Sequence, residues 1–253
     1  MEKYENYTTF DIPVPYKGLN IYPVRVKDYG RMSILSKSLT VDKNSIPDAK
    51  IISMTYLEYL YHISTDEKTP YLFFFDMLLG IVLREDKSFT NTSDSIGRYH
   101  LDSKGKPYFT IGDKSYDSND FEEIREILCE QNLIDTPDEN MQKEVRDALE
   151  AAKVYKARIS GEKQGSLEDY IISLSVSTGW KIEDIYEMSV RKFIKSIRRM
   201  DNLIHYKIYL AASMSGMVEF KNTDFIKHWL TNLDEGIYDG VTVELDEVQE
   251  KLI

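Results

Sequence analysis

Apolar residues recur at the three-and-four spacing of a helix face along most of this chain, and the pattern is sharpest near its C-terminal end. Val190, Phe193, Ile194, Ile197, Met200, Ile204 and Ile208 define one face of a long helix beginning near Ser189, and that face should be buried. Upstream, Ser166 followed by Glu168, Asp169 and an apolar run reads as a helix start: the hydroxyl caps free N–H groups and the acids suit the positive end of the dipole. Gly179 should end that helix. Ile182, Ile185, Tyr186 and Met188 then give a second, short amphipathic element. The break at Gly179 turns the chain back on itself, so Trp180 is expected to pack with Phe193 or against the same core.

The N-terminal half mixes patterns. Residues 11–26, DIPVPYKGLNIYPVRV, combine three prolines with β-branched and aromatic residues and predict an extended arm or edge strand. VKDYGRMSILSKSL predicts a helix despite Gly30, SMTYLEYLYHIST another capped by Ser53, and a third opens at Thr69-Pro70, where proline fits the first turn. Between Ser88 and Tyr116 two short extended runs separated by Ser-Lys-Gly-Lys, with a further Ile-Gly-Asp-Lys turn, predict a small β-meander. Asp117 or Ser118 then caps FEEIREILCEQ, and the charged ENMQKEVRDALEAAKVYKARIS is helical in pattern.

These elements predict a mainly α protein with a small β element, its N-terminal half α+β and its C-terminal half helical. The polar stretch SGEKQGS, residues 160–166, separates two helical patterns and marks the expected boundary. The expected organisation is an α+β module with an extended N-terminal arm over residues 1–160, a helical domain over 161–232 and an acidic tail over 233–253.

Composition narrows the functional classes. A net charge of −11 opposes non-specific attraction to phosphate, so a general nucleic-acid binder is not expected. The single cysteine, Cys129, leaves no intramolecular disulfide and no cysteine zinc site; it reads as a buried small hydrophobe, which suits a reducing cytoplasm. The N-terminus lacks the basic and apolar segments of a secretory signal. The most apolar run, Tyr71 to Leu83, is shorter than the roughly 20 residues of a membrane span and reads as a core helix.

Catalytic signatures are missing from the sequence. It holds no Gly-rich phosphate loop, no serine between spaced glycines and no helical histidine pair flanking a glutamate, so neither an enzyme nor a cofactor is expected. The four histidines are dispersed. Asp201, His205 and Tyr209 share a helix face at four-residue spacing, for which a structural role is the plainer reading than an acid-base relay. Arg191, Lys195, Arg198 and Arg199 form a basic stripe opposite the apolar face of the long helix; it is either a solvated face or a contact for an acidic protein. Met200, Met214 and Met217 with Trp180, Tyr186, Phe220 and Trp229 could supply an adaptable apolar groove, although most such residues serve as ordinary core.

The short helix, the Gly179-Trp180 break, the acidic short helix with Glu183, Asp184 and Glu187, and the Ser-Val-Arg-Lys-Phe start resemble tail assembly chaperones of tailed bacteriophages. The ending Ala-Ala-Ser-Met-Ser-Gly-Met, Ala211 to Met217, with the coda His228-Trp229-Leu230, is similar to the way such chaperones close their helical domain. The resemblance covers roughly residues 150–232. It implies a protein that binds the tape measure protein and tail-tube subunits in the cytoplasm of an infected bacterium and leaves before the virion is complete. A structural tail or neck protein, with arms that order on neighbouring subunits, is the alternative.

Overall fold

The computed structural model describes residues 3–43, 48–66, 68–83, 96–136, 143–160, 165–216 and 228–230. In chain order the elements are α1 (Glu5–Phe10), β1 (Val14–Tyr16), β2 (Leu19–Ile21), α2 (Tyr29–Leu35), α3 (Lys37–Thr40), α4 (Ala49–Ser53), α5 (Tyr56–Thr65), α6 (Tyr71–Val82), β3 (Gly97–Leu101), β4 (Pro107–Ile111), β5 (Lys114–Tyr116), α7 (Ser118–Asn132), α8 (Lys143–Ser160), α9 (Leu167–Thr178), α10 (Ile182–Glu187) and α11 (Val190–Met214). The protein is mainly α, with one two-stranded and one three-stranded antiparallel sheet. It divides into two compact units. One comprises Met1–Met141 with Tyr186–Arg191, and the other Gln142–Ile185 with Lys192–Ile253.

The core of the first unit is aromatic. Phe121 of α7 lies 4.5 Å from Phe75 of α6, 6.0 Å from Tyr56 of α5 and 6.2 Å from Phe109 of β4, centroid to centroid. Phe109 stacks in turn on Tyr116 at 5.3 Å. All five rings are buried, and their edge-to-face and stacked pairings add to the apolar area removed from water. The expected meander forms β3-β4-β5, with burial alternating along β4 so that Pro107, Phe109 and Ile111 face inward. Asp117, one of the two expected caps, caps α7 in a reciprocal box with Asp120.

Of the two readings open for residues 11–26, an extended arm or an edge strand, the structure takes the strand, and one helix cap is corrected. Residues 11–26 form a β1-β2 hairpin whose two-residue turn, Lys17-Gly18, takes the positive φ values that a tight hairpin demands. Tyr16 donates to Asp120 Oδ1 at 2.7 Å, Gln131 Nε2 donates to the Ile21 carbonyl and Val24 N–H donates to Asn132 Oδ1, so the segment's polar groups are spent on α6 and α7 neighbours or on itself. The cap of α5 is Thr55 rather than Ser53, because Glu58 sits at the third helical position and returns a bond to the Thr55 N–H; Ser53 closes α4 instead.

The first unit also takes up the distant hexapeptide Tyr186–Arg191. Val26 N–H donates to the Met188 carbonyl at 2.9 Å and Val190 N–H to the Val24 carbonyl at 2.8 Å, an antiparallel bridge centred on Arg25 and Ser189. Glu187 lies between Arg25 and Lys27, and Arg191 Nη1 donates to the Glu130 carbonyl at 2.6 Å. Short strand pairing, a charge at each end and the burial of Ser189, Val190 and Arg191 fix the peptide's register.

Removal of the central ring should be severe: Phe121→Ala is expected to cost about 3–5 kcal/mol, read as a shift in the denaturant midpoint, and a shift below about 1 kcal/mol would remove Phe121 from its central place. The second expectation concerns acid. Lys27 and then Arg25 hold the Glu187 carboxyl below the usual carboxylate range. A depressed carboxylate adds stability above the unfolded-chain value, about 4.3 for Glu, and that contribution is lost as pH falls through the lower folded value. Glu187→Gln should therefore flatten the acid side of the stability profile, modestly because solvent screens the pair; an unaltered slope would assign the pair no part in stability.

Candidate functional site

In the second unit, α9 starts with a reciprocal capping box: Ser166 Oγ accepts from Asp169 N–H while Asp169 Oδ2 accepts from Ser166 N–H. It ends at Gly179, whose φ of 76° a side chain would strain, with the Gly179 N–H donating to the Ser175 carbonyl at 2.8 Å. Ile171 and Leu174 on α9 and Ile185 on α10 are buried. Beyond this small core the unit turns large apolar side chains outward.

The long helix α11 shows this most clearly. Its periodicity is as expected, but only its start is covered: Phe193 is buried, and no side chain from Ile194 to Met214 is. Ile197 and Met200 are half-buried, Ile204 and Ile208 are exposed, and Met214 keeps 78% of its surface open. The expectation of a buried face therefore fails in the C-terminal two-thirds of the helix. The turn at His228–Leu230 does not cover it, because Arg199 Nη1 and Asn202 Nδ2 donate to the Trp229 carbonyl at 2.9 and 3.1 Å and Tyr206 meets the His228 ring at 5.3 Å. Those three residues lie on the helix side opposite the Ile197–Met200–Ile204–Ile208 stripe, two positions on at about 100° per residue.

Trp180 is half-exposed at 44%, and among the described residues its ring is not paired with Phe193. The reason is local. Ser175 Oγ donates to the Trp180 carbonyl at 2.7 Å and Trp180 N–H donates to Thr178 Oγ1, so the corner is held by backbone groups and the indole is left free to face outward. Tyr186 is also exposed, and Trp229 is half-buried. Met217 and Phe220 lie outside the described residues, as does the acidic tail beyond residue 230. The basic stripe divides: Arg198 is exposed and Lys195 and Arg199 half-buried, but Arg191 is buried, with its guanidinium on the Glu130 carbonyl of the first unit. It belongs to no solvated face, because the hexapeptide carrying it is bound by Val24–Val26.

Further exposed apolar residues were legible but overlooked. Ile172 and Val176 are four apart on α9 and exposed, Val176 by 81%, with Tyr170 beside them. A helix with apolar residues at 170, 171, 172, 174 and 176 carries more than one buried stripe can use. Asp201 and His205 approach at 3.4 Å and Tyr209 stacks on the imidazole at 6.1 Å, but both members of the ion pair are exposed and nothing encloses them.

The first unit has a recess of about 540 Å³ along α7, lined by Glu122, Glu123, Glu126, Glu130, Arg125 and Arg191 among others. Its carboxylates already serve the fold: Glu123 and Glu126 hold Lys3, Glu130 accepts from Tyr4 N–H, and Glu122 pairs with Arg125. Cys129 at its edge is an unreactive thiol, pushed by burial up to about 12. Among the described residues no group of His, Cys, Asp or Glu is placed to hold a metal ion, and no helix is long and apolar enough to cross a membrane.

Residues 161–234 match the family model described as the YomV second domain, a phage-associated domain family. The match takes in α9, α10 and α11 and less than a third of the chain. No significant match exists to a curated protein or to a solved structure.

The two extremes of exposure make a paired expectation. Arg191→Ala should destabilise the protein by about 1.5–3 kcal/mol, the cost of a lost charged hydrogen bond in a buried place. Trp180→Ala should cost less than about 1 kcal/mol rather than the 3–5 of a buried aromatic. Thermal melts of both variants check this, and the reverse order would exchange their assignments.

Proposed function

We propose that the chain is a tail assembly chaperone of a tailed phage, which shelters apolar helical segments of the tape measure protein until tail-tube subunits assemble around it. The observation that carries this reading is the open stripe of α11, Ile197 to Ile208, within a stretch that matches a phage-associated domain. A helix that keeps a regular apolar face in water has the surface a second amphipathic helix buries, with anchors at the same three-and-four spacing. Exposed Met214 and the half-exposed Trp180 and Tyr186 supply adaptable and large contact area nearby in sequence. Sheltering such faces suppresses their mutual association, which is the work required of a protein that keeps a long helical partner soluble.

On this reading the protein does no chemistry, binds no cofactor or nucleic acid, acts in the cytoplasm of the infected host and is absent from finished particles. The competing reading, a structural tail or neck subunit, loses one of its supports: residues 11–26 are committed to the first unit's own hydrogen bonds and are not an arm waiting for a neighbour.

Co-expression is the test. The full chain should raise the soluble fraction of the tape measure protein of the same phage. Ile204→Asp with Ile208→Asp should abolish that effect without shifting the melt, since both side chains already face water. A tape measure protein that stays insoluble beside folded, excess chaperone overturns the reading. Finding the chain at fixed copy number in purified virions would favour the structural subunit.

A further inference from the structure

The helix α8, Lys143–Ser160, is amphipathic, yet no described side chain along it is buried. Val145 and Tyr155 keep 48% and 65% of their surface open, Ala148 and Ala152 are exposed between them, and Leu149 is half-buried. Val145, Ala148, Ala152 and Tyr155 follow one another at intervals of three, four and three residues, so they form one seam, the first and fourth positions of successive heptads. An isolated helix of 18 residues gains little stability in water, and a seam of this form is what a second helix covers.

Charge selects the second helix. Glu144, Asp147 and Glu150 lie in the first half of α8, whereas Lys153, Lys156 and Arg158 lie in its second half, which holds no acid. A second copy of α8 laid antiparallel meets each half with its opposite; a parallel pair would set the two basic halves side by side. Side-chain size sets the register. With Val145 against the second copy's Tyr155 and Ala148 against its Ala152, the layers repeat about a twofold axis at position 150, the alanines allow close approach in the middle and the large residues fall at both ends. In that register Glu144 of each helix and Arg158 of the other hold matching flanking positions, so the same opposite-charge pair occurs twice.

We propose that α8 is a homodimerisation surface, through which two copies of the chain pair as a short antiparallel coiled coil along the Val145–Ala148–Ala152–Tyr155 seam. The helix spans about 27 Å. The pair is therefore a small interface, under about 1,200 Å², and forms in a concentration-dependent way. This surface is separate from the stripe of α11, and the pairing stands whether or not the protein is a tail chaperone. If it is, two copies joined at α8 bring two α11 stripes to one long partner, and the second contact is made at the effective concentration that the first provides.

The pairing can be measured without any other protein. Light scattering of the full chain over a range of concentrations should show the mass rising from one chain to two. Ala152→Glu puts a charge in the seam and should raise the dissociation constant by about tenfold or more, with the far-ultraviolet dichroism unchanged. Charge exchange tests the register. Glu144→Arg and Arg158→Glu should each weaken the dimer, because each sets like charges against one another at both ends. An equimolar mixture of the two variants should dimerise as the unaltered chain does, since both ends then join opposite signs. Mixing also controls for folding, because a variant that had lost its structure would not be restored by the other. A chain that is monomeric at every concentration, or a dimer indifferent to Ala152→Glu, overturns the proposal. Weakened single variants that mixing does not restore overturn the antiparallel pairing.

Discussion

The contact on which the first unit turns is the one made by Phe121. Its ring touches an aromatic side chain from α5, α6 and β4, so one residue on α7 sets where two helices and a sheet can lie. Buried aromatics pack in few arrangements, and their positions propagate. With α7 fixed, Asp120 at its start receives Tyr16 and Lys17 of the hairpin, and Gln131 and Asn132 at its end receive the backbone of residues 21 and 24. The extended N-terminal segment is thereby read out by both ends of one helix.

The second unit is organised on the opposite principle. Its buried apolar side chains are few, Ile171 and Leu174 on α9, Ile185 on α10 and Phe193 near the start of α11, and beyond Phe193 α11 runs on with a regular apolar face and no buried side chain among the described residues. A helix of this kind gains little stability from its own packing and depends on propensity and on whatever it meets. Buried packing is thus concentrated in one unit and exposed apolar helix surface in the other.

Elements governed by local chemistry were readable from the residues. The boxes at Asp117 and Ser166, the Gly179 stop and the β4-β5 turn at Gly112 all follow from side chains within four positions of one another. Features set by distant partners were not. Lys17-Gly18 is a weak turn signal made effective by Asp120, more than a hundred residues on. Arg191 has the spacing of a surface stripe, and only the Glu130 carbonyl reveals its burial. Periodicity showed that α11 has an apolar face, but a period carries no information on whether another surface arrives to cover it; for Phe193 one does, and for Ile208 none is seen among the described residues.

The capture of Tyr186–Arg191 by Val24–Val26 also fixes a timetable. Arg25 and Glu187 are separated by 162 positions, and Glu130 and Arg191 by 61. A ribosome adding about 5–20 residues per second needs roughly 3–12 s to pass from one to the other of the latter pair. Throughout that interval the residues of the aromatic centre have been synthesised, while the peptide that pairs with Val24 and Val26 has not. Completion of the first unit is postponed until most of the second unit's helices have been translated, so the sequence couples the maturation of the two parts through the order of synthesis.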